Sequence, residues 1–189
     1  MALDIEFVCT ANNAKSPIAL AVARQYAAEN DLDLGLSSTG TMVNLISRSH
    51  GSRLIDYLTT FVYEGLRKGI LSHEDTRTLI SNPRFLLEKL LALEKENRTA
   101  YLSEIGLEFN ESSRQTVYRK NSQIIACIGE GNYKIVSSLY SSSDHKPTIV
   151  PLYNQDFSNV DNWWILTYEE FRIVGNKIKD FTLELLKSL

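Results

Sequence analysis

The chain has 189 residues, of which 43% are hydrophobic and 23% charged, and 20 lysines and arginines against 23 aspartates and glutamates give a formal net charge of -3. That length suits one domain with a sizeable core, and a content of only 9 glycines and 4 prolines excludes a collagen-like or disordered chain. The slightly acidic balance argues against a general nucleic-acid binder, and the apolar stretches are too short to span a bilayer. We therefore expect a cytoplasmic protein that has neither nucleic acid nor a membrane as its partner. Asp4 and Glu6 support this expectation, because a secretory signal would be basic and then apolar at these positions.

The N-terminal part of the chain predicts two strands separated by a helix. Residues 3–9 alternate apolar and acidic side chains before becoming wholly apolar, which is typical of a strand buried at its C-terminal end. Ser16 is a good N-cap and Pro17 suits the first helical position, so a helix is predicted to follow and to continue to about residue 29. Residues 36–41 predict a short second strand that runs into a turn.

The rest of the chain alternates helices and strands after a long helical stretch. Residues 45–101 repeat apolar side chains at helical spacing and predict two or three helices, with a boundary at Asn82, because the residue before a proline leaves the helical region. Strands are predicted at residues 123–128 and 147–152, the latter central and parallel to the others, before a closing amphipathic helix over residues 168–189. This order predicts one α/β domain across all 189 residues: a three-layer, doubly wound sheet of four parallel strands with a helical insertion.

The segment after the first strand carries the strongest chemical signal. Cys9 ends the strand, five residues intervene, and Lys15 and Ser16 open the helix. The backbone amides of such a loop, together with the positive end of the helix dipole, form a cradle for an anion the size of a phosphate. The residues predicted to surround a phosphate are Thr10, Ala11, Asn12, Asn13, Ala14, Lys15 and Ser16, hereafter the phosphate loop. The same field stabilises a thiolate, which makes Cys9 a candidate nucleophile.

This segment resembles the active-site loop of the low molecular weight protein tyrosine phosphatases, in which a strand is followed by Cys, five residues, Arg, Ser and Pro. Asn12 falls where the family has the asparagine that holds a left-handed turn, and Ser16 where it has the serine that hydrogen-bonds the thiolate. Less specific similarities occur at residues 38–41, 106–108, 113–115 and 128–132. The resemblance covers residues 3–44 and 104–189, and it implies the family fold and hydrolysis of a phosphomonoester, including phosphotyrosine, through a phosphocysteine at Cys9.

Lys15 is the first departure from the family pattern, because the family has arginine at this position. The planar guanidinium of arginine holds two phosphoryl oxygens, whereas lysine offers a point charge. Lys15 still attracts a phosphate, but we expect weaker stabilisation of the transition state unless another cation helps. Candidates for that cation are Arg114 and the arginines of the insertion.

The second departure concerns the general acid, which the family supplies from an Asp-Pro pair in the loop after the last strand. Val150 or Leu152 takes the place of that aspartate here, depending on the register, and neither side chain can protonate a leaving group. Asp156 is the nearest carboxylate and is the predicted acid. Tyr153 resembles the aromatic wall that follows the family's Asp-Pro, so it is predicted to pack against the substrate.

Two other functions remain open alongside the phosphatase. Because both departures affect catalysis, the chain could instead be a non-catalytic module that binds inorganic phosphate or a phosphorylated partner through the phosphate loop. Arsenate reductases share the implied fold, and in a protein of that kind Cys127 would be the redox partner of Cys9. The place of Cys127 in an apolar strand instead predicts a buried, inert thiol. We expect no cofactor and no metal, because the three histidines are scattered and two cysteines cannot build a four-thiolate zinc site.

The cations of the insertion are interleaved with acidic residues, which is typical of solvated helix faces. The alternative is that some of them face the phosphate loop. They are Arg48, Arg53, Arg67, Lys68, Arg77, Arg84, Lys89, Lys95 and Arg98.

Overall fold

The computed structural model of the protein describes residues 2–43, 52–109, 121–153 and 165–189. In chain order they form β1 (Leu3–Cys9), α1 (Lys15–Glu29), β2 (Leu34–Gly40), α2 (Ser52–Arg67), α3 (His73–Ser81), α4 (Pro83–Glu104), β3 (Ile124–Cys127), α5 (Glu130–Tyr140), β4 (Thr148–Pro151) and α6 (Tyr168–Lys187). None of these helices is both long enough and apolar enough to cross a membrane.

The four strands form one parallel sheet in the order β2-β1-β3-β4, with helices on both faces. This arrangement confirms the predicted three-layer, doubly wound α/β fold. The chain order reverses between β1 and β3, and in open α/β sheets ligands bind in the crevice at the carboxyl ends of the strands beside such a reversal. Cys9 is the last residue of β1, so the fold places it at that crevice.

The side chains of β1 alternate between two cores. Phe7 and Cys9 belong to the larger core, which the sheet forms with α1, with helices α2 to α4 and with α6. Val8 belongs to a smaller core on the other face, together with Cys127 of β3 and Val136 of α5. Because Val8 is the direct partner of Cys127 in the sheet, the two cysteine side chains lie on opposite faces.

The structure places β4 at the edge of the sheet, so the prediction of a central position is wrong, whereas the parallel orientation is right. Thr148 and Pro151 are exposed, and only the two residues between them are half-buried. Pro151 lacks a backbone N–H, and a residue of that kind is tolerated at an edge but not between two paired strands. This proline is the sequence signal that favours the edge.

The predicted helical insertion contains three helices within its described residues, and the last of them continues to Glu104. Pro83 opens α4, and the Asn82 side chain accepts a hydrogen bond from the Phe85 N–H at 3.2 Å, as expected at this boundary. Leu58 and Leu90 are fully buried in the same core as α1. The insertion therefore shares a hydrophobic core with α1, the helix that follows the phosphate loop.

Candidate phosphate-binding site

The phosphate loop connects the end of β1 to the start of α1. The helix begins at Lys15, one residue before the predicted cap, and the residue at its N-cap position, Ala14, makes no side-chain capping hydrogen bond. The N–H groups of a first helical turn have no partner within the helix, so they are available to an anion. The predicted role of Ser16 as N-cap is wrong because its hydroxyl is directed to other partners, and Pro17 still lies in the first turn, where a missing N–H costs nothing.

The Cys9 thiol lies at the base of the loop and is 3% exposed. Its Sγ accepts a hydrogen bond from the Asn12 N–H at 3.2 Å and lies 3.1 Å from Ser16 Oγ. Ser16 Oγ also lies 3.0 Å from Asn12 Oδ1 and 3.2 Å from the Thr39 carbonyl oxygen. A hydroxyl has one proton to donate, so Ser16 Oγ can donate either to Asn12 Oδ1 or to the Thr39 carbonyl oxygen while Cys9 is a thiol, and to the sulfur when Cys9 is a thiolate.

Asn12 gives the loop its curvature. Its φ of +51° lies in the left-handed region, which asparagine adopts more readily than most residues. The Asn12 side-chain amide donates to the Ser38 carbonyl oxygen at 3.2 Å, so the end of β2 holds this turn in place.

Gly40 allows β2 to approach the loop closely. A Cβ atom there would lie 2.7 Å from the Asn12 nitrogen and 2.8 Å from the Thr10 carbonyl oxygen. We expect Gly40→Ala to displace the loop, to cost roughly 1–3 kcal/mol of unfolding free energy, and to weaken binding of inorganic phosphate. Urea denaturation and calorimetric titration with phosphate measure the two effects.

Gly131→Ala is the matched control, because a Cβ at that position in α5 would meet no atom within 4 Å. The control is expected to bind phosphate as the wild type does. Equal phosphate affinity in Gly40→Ala and Gly131→Ala would contradict a loop whose shape depends on the approach of β2.

A hydrogen-bonded chain joins the loop to the ends of two other strands. The Asn132 side-chain amide donates to Thr10 Oγ1 at 3.3 Å and to the Ile128 carbonyl oxygen at 2.8 Å. Thr41 Oγ1 donates to Asn132 Oδ1 at 2.6 Å. Two of the sequence segments similar to the phosphatase family, residues 38–41 and 128–132, therefore meet at the phosphate loop, whereas Arg114 lies outside the described residues.

Helix α4 of the insertion also contacts the phosphate loop, so for Arg98 the alternative of a cation that faces this loop is the correct one. The Asn13 side-chain amide donates to the Leu91 carbonyl oxygen at 2.9 Å and to Glu94 Oε2 at 2.6 Å. Arg98 Nη1 donates to the Asn13 carbonyl oxygen at 2.7 Å. Glu94 and Arg98 are buried, at 4% and 2% exposure, so the prediction of a solvated cation is wrong for Arg98. The available signal was their position, because both residues continue the apolar stripe of α4 that includes Leu90.

Neither of the two residues that take the place of the family's aspartate, Val150 and Leu152, is a carboxylate that could act as the general acid. Leu152 is 3% exposed and its N–H donates to the Cys127 carbonyl oxygen at 2.8 Å. Val150 is half-buried in β4. Asp156 lies outside the described residues.

Tyr153 packs edge-on against Tyr133, with ring centroids 6.3 Å apart. Burial raises the pKa of the Tyr153 hydroxyl, and the negative charge of Glu130 raises it further. The phenol therefore stays protonated at neutral pH and presents an aromatic surface with a hydrogen-bond donor.

Cys127 has the environment of an inert thiol. It is fully buried, and burial together with the charge of Glu6 raises the pKa of Cys127 to about 12. Its side chain faces the smaller core, away from Cys9, and two thiols whose Cβ vectors diverge in this way cannot form a disulfide without movement of the backbone. Across the described ranges, no three histidine, cysteine or acidic side chains are grouped so that they could hold a metal ion.

The structure is similar to solved low molecular weight phosphatases. An arginine phosphatase from Drosophila superposes with a TM-score of 0.62 at 14% identity, over 97% of this chain and 96% of its own. A low molecular weight phosphotyrosine phosphatase from Vibrio cholerae superposes with a TM-score of 0.60 at 15% identity, over 99% of this chain and 96% of its own. The arginine phosphatase YwlE from Bacillus subtilis, in a cysteine-to-serine mutant with a phosphorylated active-site serine, gives a TM-score of 0.58 at 12% identity over 99% and 95%.

No protein-family model and no curated protein matches the chain in sequence. At identities this low, the structural likeness shows a shared fold. The chain therefore has the low molecular weight phosphatase fold, and its chemistry must be argued from its own residues.

Proposed function

We propose that this protein is a cysteine-dependent phosphatase that hydrolyses a phosphomonoester through a phosphocysteine at Cys9. The observation that carries the proposal is the position of the Cys9 sulfur, which accepts a loop N–H at 3.2 Å and lies 3.1 Å from the Ser16 hydroxyl. The sulfur lies at the N-terminus of α1, whose first residue is the buried Lys15. A thiolate in this field is stabilised, and the same donors suit a phosphoryl group. Structures of tyrosine and arginine phosphatases with this fold support a phosphorylated substrate.

The reaction follows two displacements. The Cys9 thiolate attacks phosphorus, so that a sulfur–phosphorus bond forms and the bond to the leaving oxygen breaks. The leaving oxygen takes a proton from a general acid, for which Asp156 is the proposed residue, or from water. Water then attacks the phosphocysteine, which releases inorganic phosphate and restores the thiolate. The phosphate loop and Lys15 hold the phosphoryl oxygens in both steps, and Ser16 stabilises the departing thiolate.

Turnover of p-nitrophenyl phosphate by the wild-type protein tests this proposal, with calorimetric binding of inorganic phosphate measured on the same sample. This substrate has a good leaving group, so it tolerates a weak general acid. We expect turnover that inorganic phosphate inhibits competitively, and a larger loss of rate with phenyl phosphate than an enzyme with a well-placed acid would show. Phosphate binding without turnover of p-nitrophenyl phosphate would contradict the phosphatase.

That contrary outcome defines the second candidate, a non-catalytic module that binds inorganic phosphate or a phosphorylated ligand. The observation in its favour is the buried Leu152 after β4, where a phosphatase of this fold would be expected to carry its acid. The third hypothesis, an arsenate reductase, requires a disulfide between Cys9 and Cys127. The opposite orientation of the two thiols argues against that reaction.

A further inference from the structure

Helix α4 makes a charged clamp on one peptide of the phosphate loop. The clamp consists of Glu94 and Arg98, which lie one helical turn apart and bind the side chain and the carbonyl oxygen of Asn13, at 2.6 Å and 2.7 Å respectively. The Arg98 guanidinium is also stacked over the Phe109 ring, with its carbon 4.8 Å from the ring centroid. The guanidinium is therefore held in one place, and Asn13 is bound at both its side chain and its backbone.

The clamp determines the direction of a neighbouring backbone amide. In a trans peptide the carbonyl of one residue and the N–H of the next lie in one plane and point in opposite directions. The peptide between Asn13 and Ala14 is trans, since the described chain contains no cis bonds. Because Arg98 holds the Asn13 carbonyl toward α4, the Ala14 N–H is directed away from α4.

The charges make this a firm restraint. A hydrogen bond from a guanidinium is about twice as strong as one between neutral groups, and burial of both clamp residues excludes competing water. The guanidinium meets the phosphate loop at the Asn13 carbonyl oxygen. Its effect on an anion therefore passes through Asn13.

From these contacts we infer that Arg98, oriented with Glu94 by α4, is a positioning residue that holds the phosphate loop in its anion-binding conformation. The inference deepens the proposed function and rests on the same loop. It assigns a role to the insertion: the last helix of that segment completes the site without touching the substrate.

The same helix provides a matched control. Arg84 and Glu88 form another ion pair across one turn of α4, with Nε and Oε1 3.2 Å apart, and both are partly exposed. Arg84→Met removes an arginine from the same helix as Arg98→Met does, without touching Asn13. The double clamp variant, Glu94→Gln with Arg98→Met, removes both buried charges together. Its control is the double variant Glu88→Gln with Arg84→Met.

Inorganic phosphate is the probe, titrated into the full-length chain by calorimetry and by ¹⁵N–¹H NMR spectroscopy. In the wild type, phosphate is expected to shift the Ala14 amide resonance downfield. In Arg98→Met and in the double clamp variant, that shift is expected to shrink and affinity to fall about tenfold or more, which is about 1.4 kcal/mol in binding free energy. Arg98→Lys, which keeps one charged donor, is expected to recover part of both effects, and the control variants to stay within about twofold of the wild type.

A folded variant without the Arg98 guanidinium that keeps the wild-type phosphate affinity and Ala14 shift would overturn the inference. If Arg98→Met alone does not fold because the Glu94 charge stays buried after the guanidinium is removed, the phosphate affinity and Ala14 shift of the double variant and of Arg98→Lys test the inference instead. Absence of phosphate binding by the wild type would also overturn it. If the wild type binds phosphate but does not hydrolyse p-nitrophenyl phosphate, only the phosphatase proposal fails, and a loss of binding in the clamp variants still supports the positioning role.

Discussion

Replacement of Cys9 by serine is expected to lower the turnover of p-nitrophenyl phosphate by about 10⁴-fold or more, the scale of loss seen when an enzyme loses its nucleophile. A serine hydroxyl at this position does not ionise at neutral pH, so the attacking anion disappears while the loop keeps its donors. Binding of inorganic phosphate should persist or strengthen, because a neutral hydroxyl does not repel the anion as a thiolate does. Steady-state kinetics and calorimetric titration on one sample measure the two effects.

The control for Cys9→Ser is Cys127→Ala, which removes the other buried thiol of the chain on the opposite face of the sheet. We expect this variant to keep wild-type turnover, because Cys127 faces away from the phosphate loop. If Cys9→Ser and Cys127→Ala are equally active, a phosphocysteine at Cys9 is wrong. A loss of turnover in Cys127→Ala as well would mean that the loss in Cys9→Ser reflects damage to the buried core rather than removal of the nucleophile.

The second large expected effect is a gain of catalytic activity. Lys15→Arg is expected to raise kcat/KM for p-nitrophenyl phosphate by about tenfold or more, since a bidentate guanidinium stabilises the transition state better than a point charge. Lys15 is the first residue of α1 and is 6% exposed, so a guanidinium there would act close to the phosphoryl oxygens with little competing water. The comparison of kcat with KM in the variant shows whether the gain lies in the transition state or in ground-state binding.

Lys134→Arg controls for the addition of a guanidinium elsewhere on the surface. Lys134 is exposed and pairs with Glu130 at 2.6 Å in the first turns of α5, which begins at the same edge of the sheet as the phosphate loop. The control is expected to leave kcat/KM unchanged. If Lys15→Arg binds phosphate more tightly but gains no turnover of p-nitrophenyl phosphate, the lysine does not limit the reaction, and the binding module becomes the better account.

The local parts of this site could be predicted because their determinants are neighbours in sequence. Cys9, Lys15 and Ser16 are separated by a fixed number of residues at a strand-to-helix junction, so their spacing alone predicts an anion cradle. The strands and helices follow equally from local periodicity, which is why the parallel sheet and the helices between β2 and β3 were predictable. Two errors were also local: the helix begins at Lys15, two residues before Pro17, with the Ser16 hydroxyl near Cys9 instead of at the cap, and β4 lies at the edge, as Pro151 indicates.

The contacts that complete the loop were decided by the tertiary structure. Asn13 meets Glu94 and Arg98 across 81 and 85 residues of chain, and no periodicity encodes which helix will cover a loop. The sequence did place these two charges on an apolar stripe, but charged residues at such positions do not identify their partners. The amino-acid sequence by itself therefore determined the fold class and the strand-to-helix loop after Cys9, because short-range sterics and hydrogen bonding act on neighbouring residues. The packing of α4 decided the conformation of Asn13 and the burial of Arg98, because those depend on which surfaces meet once the core has formed.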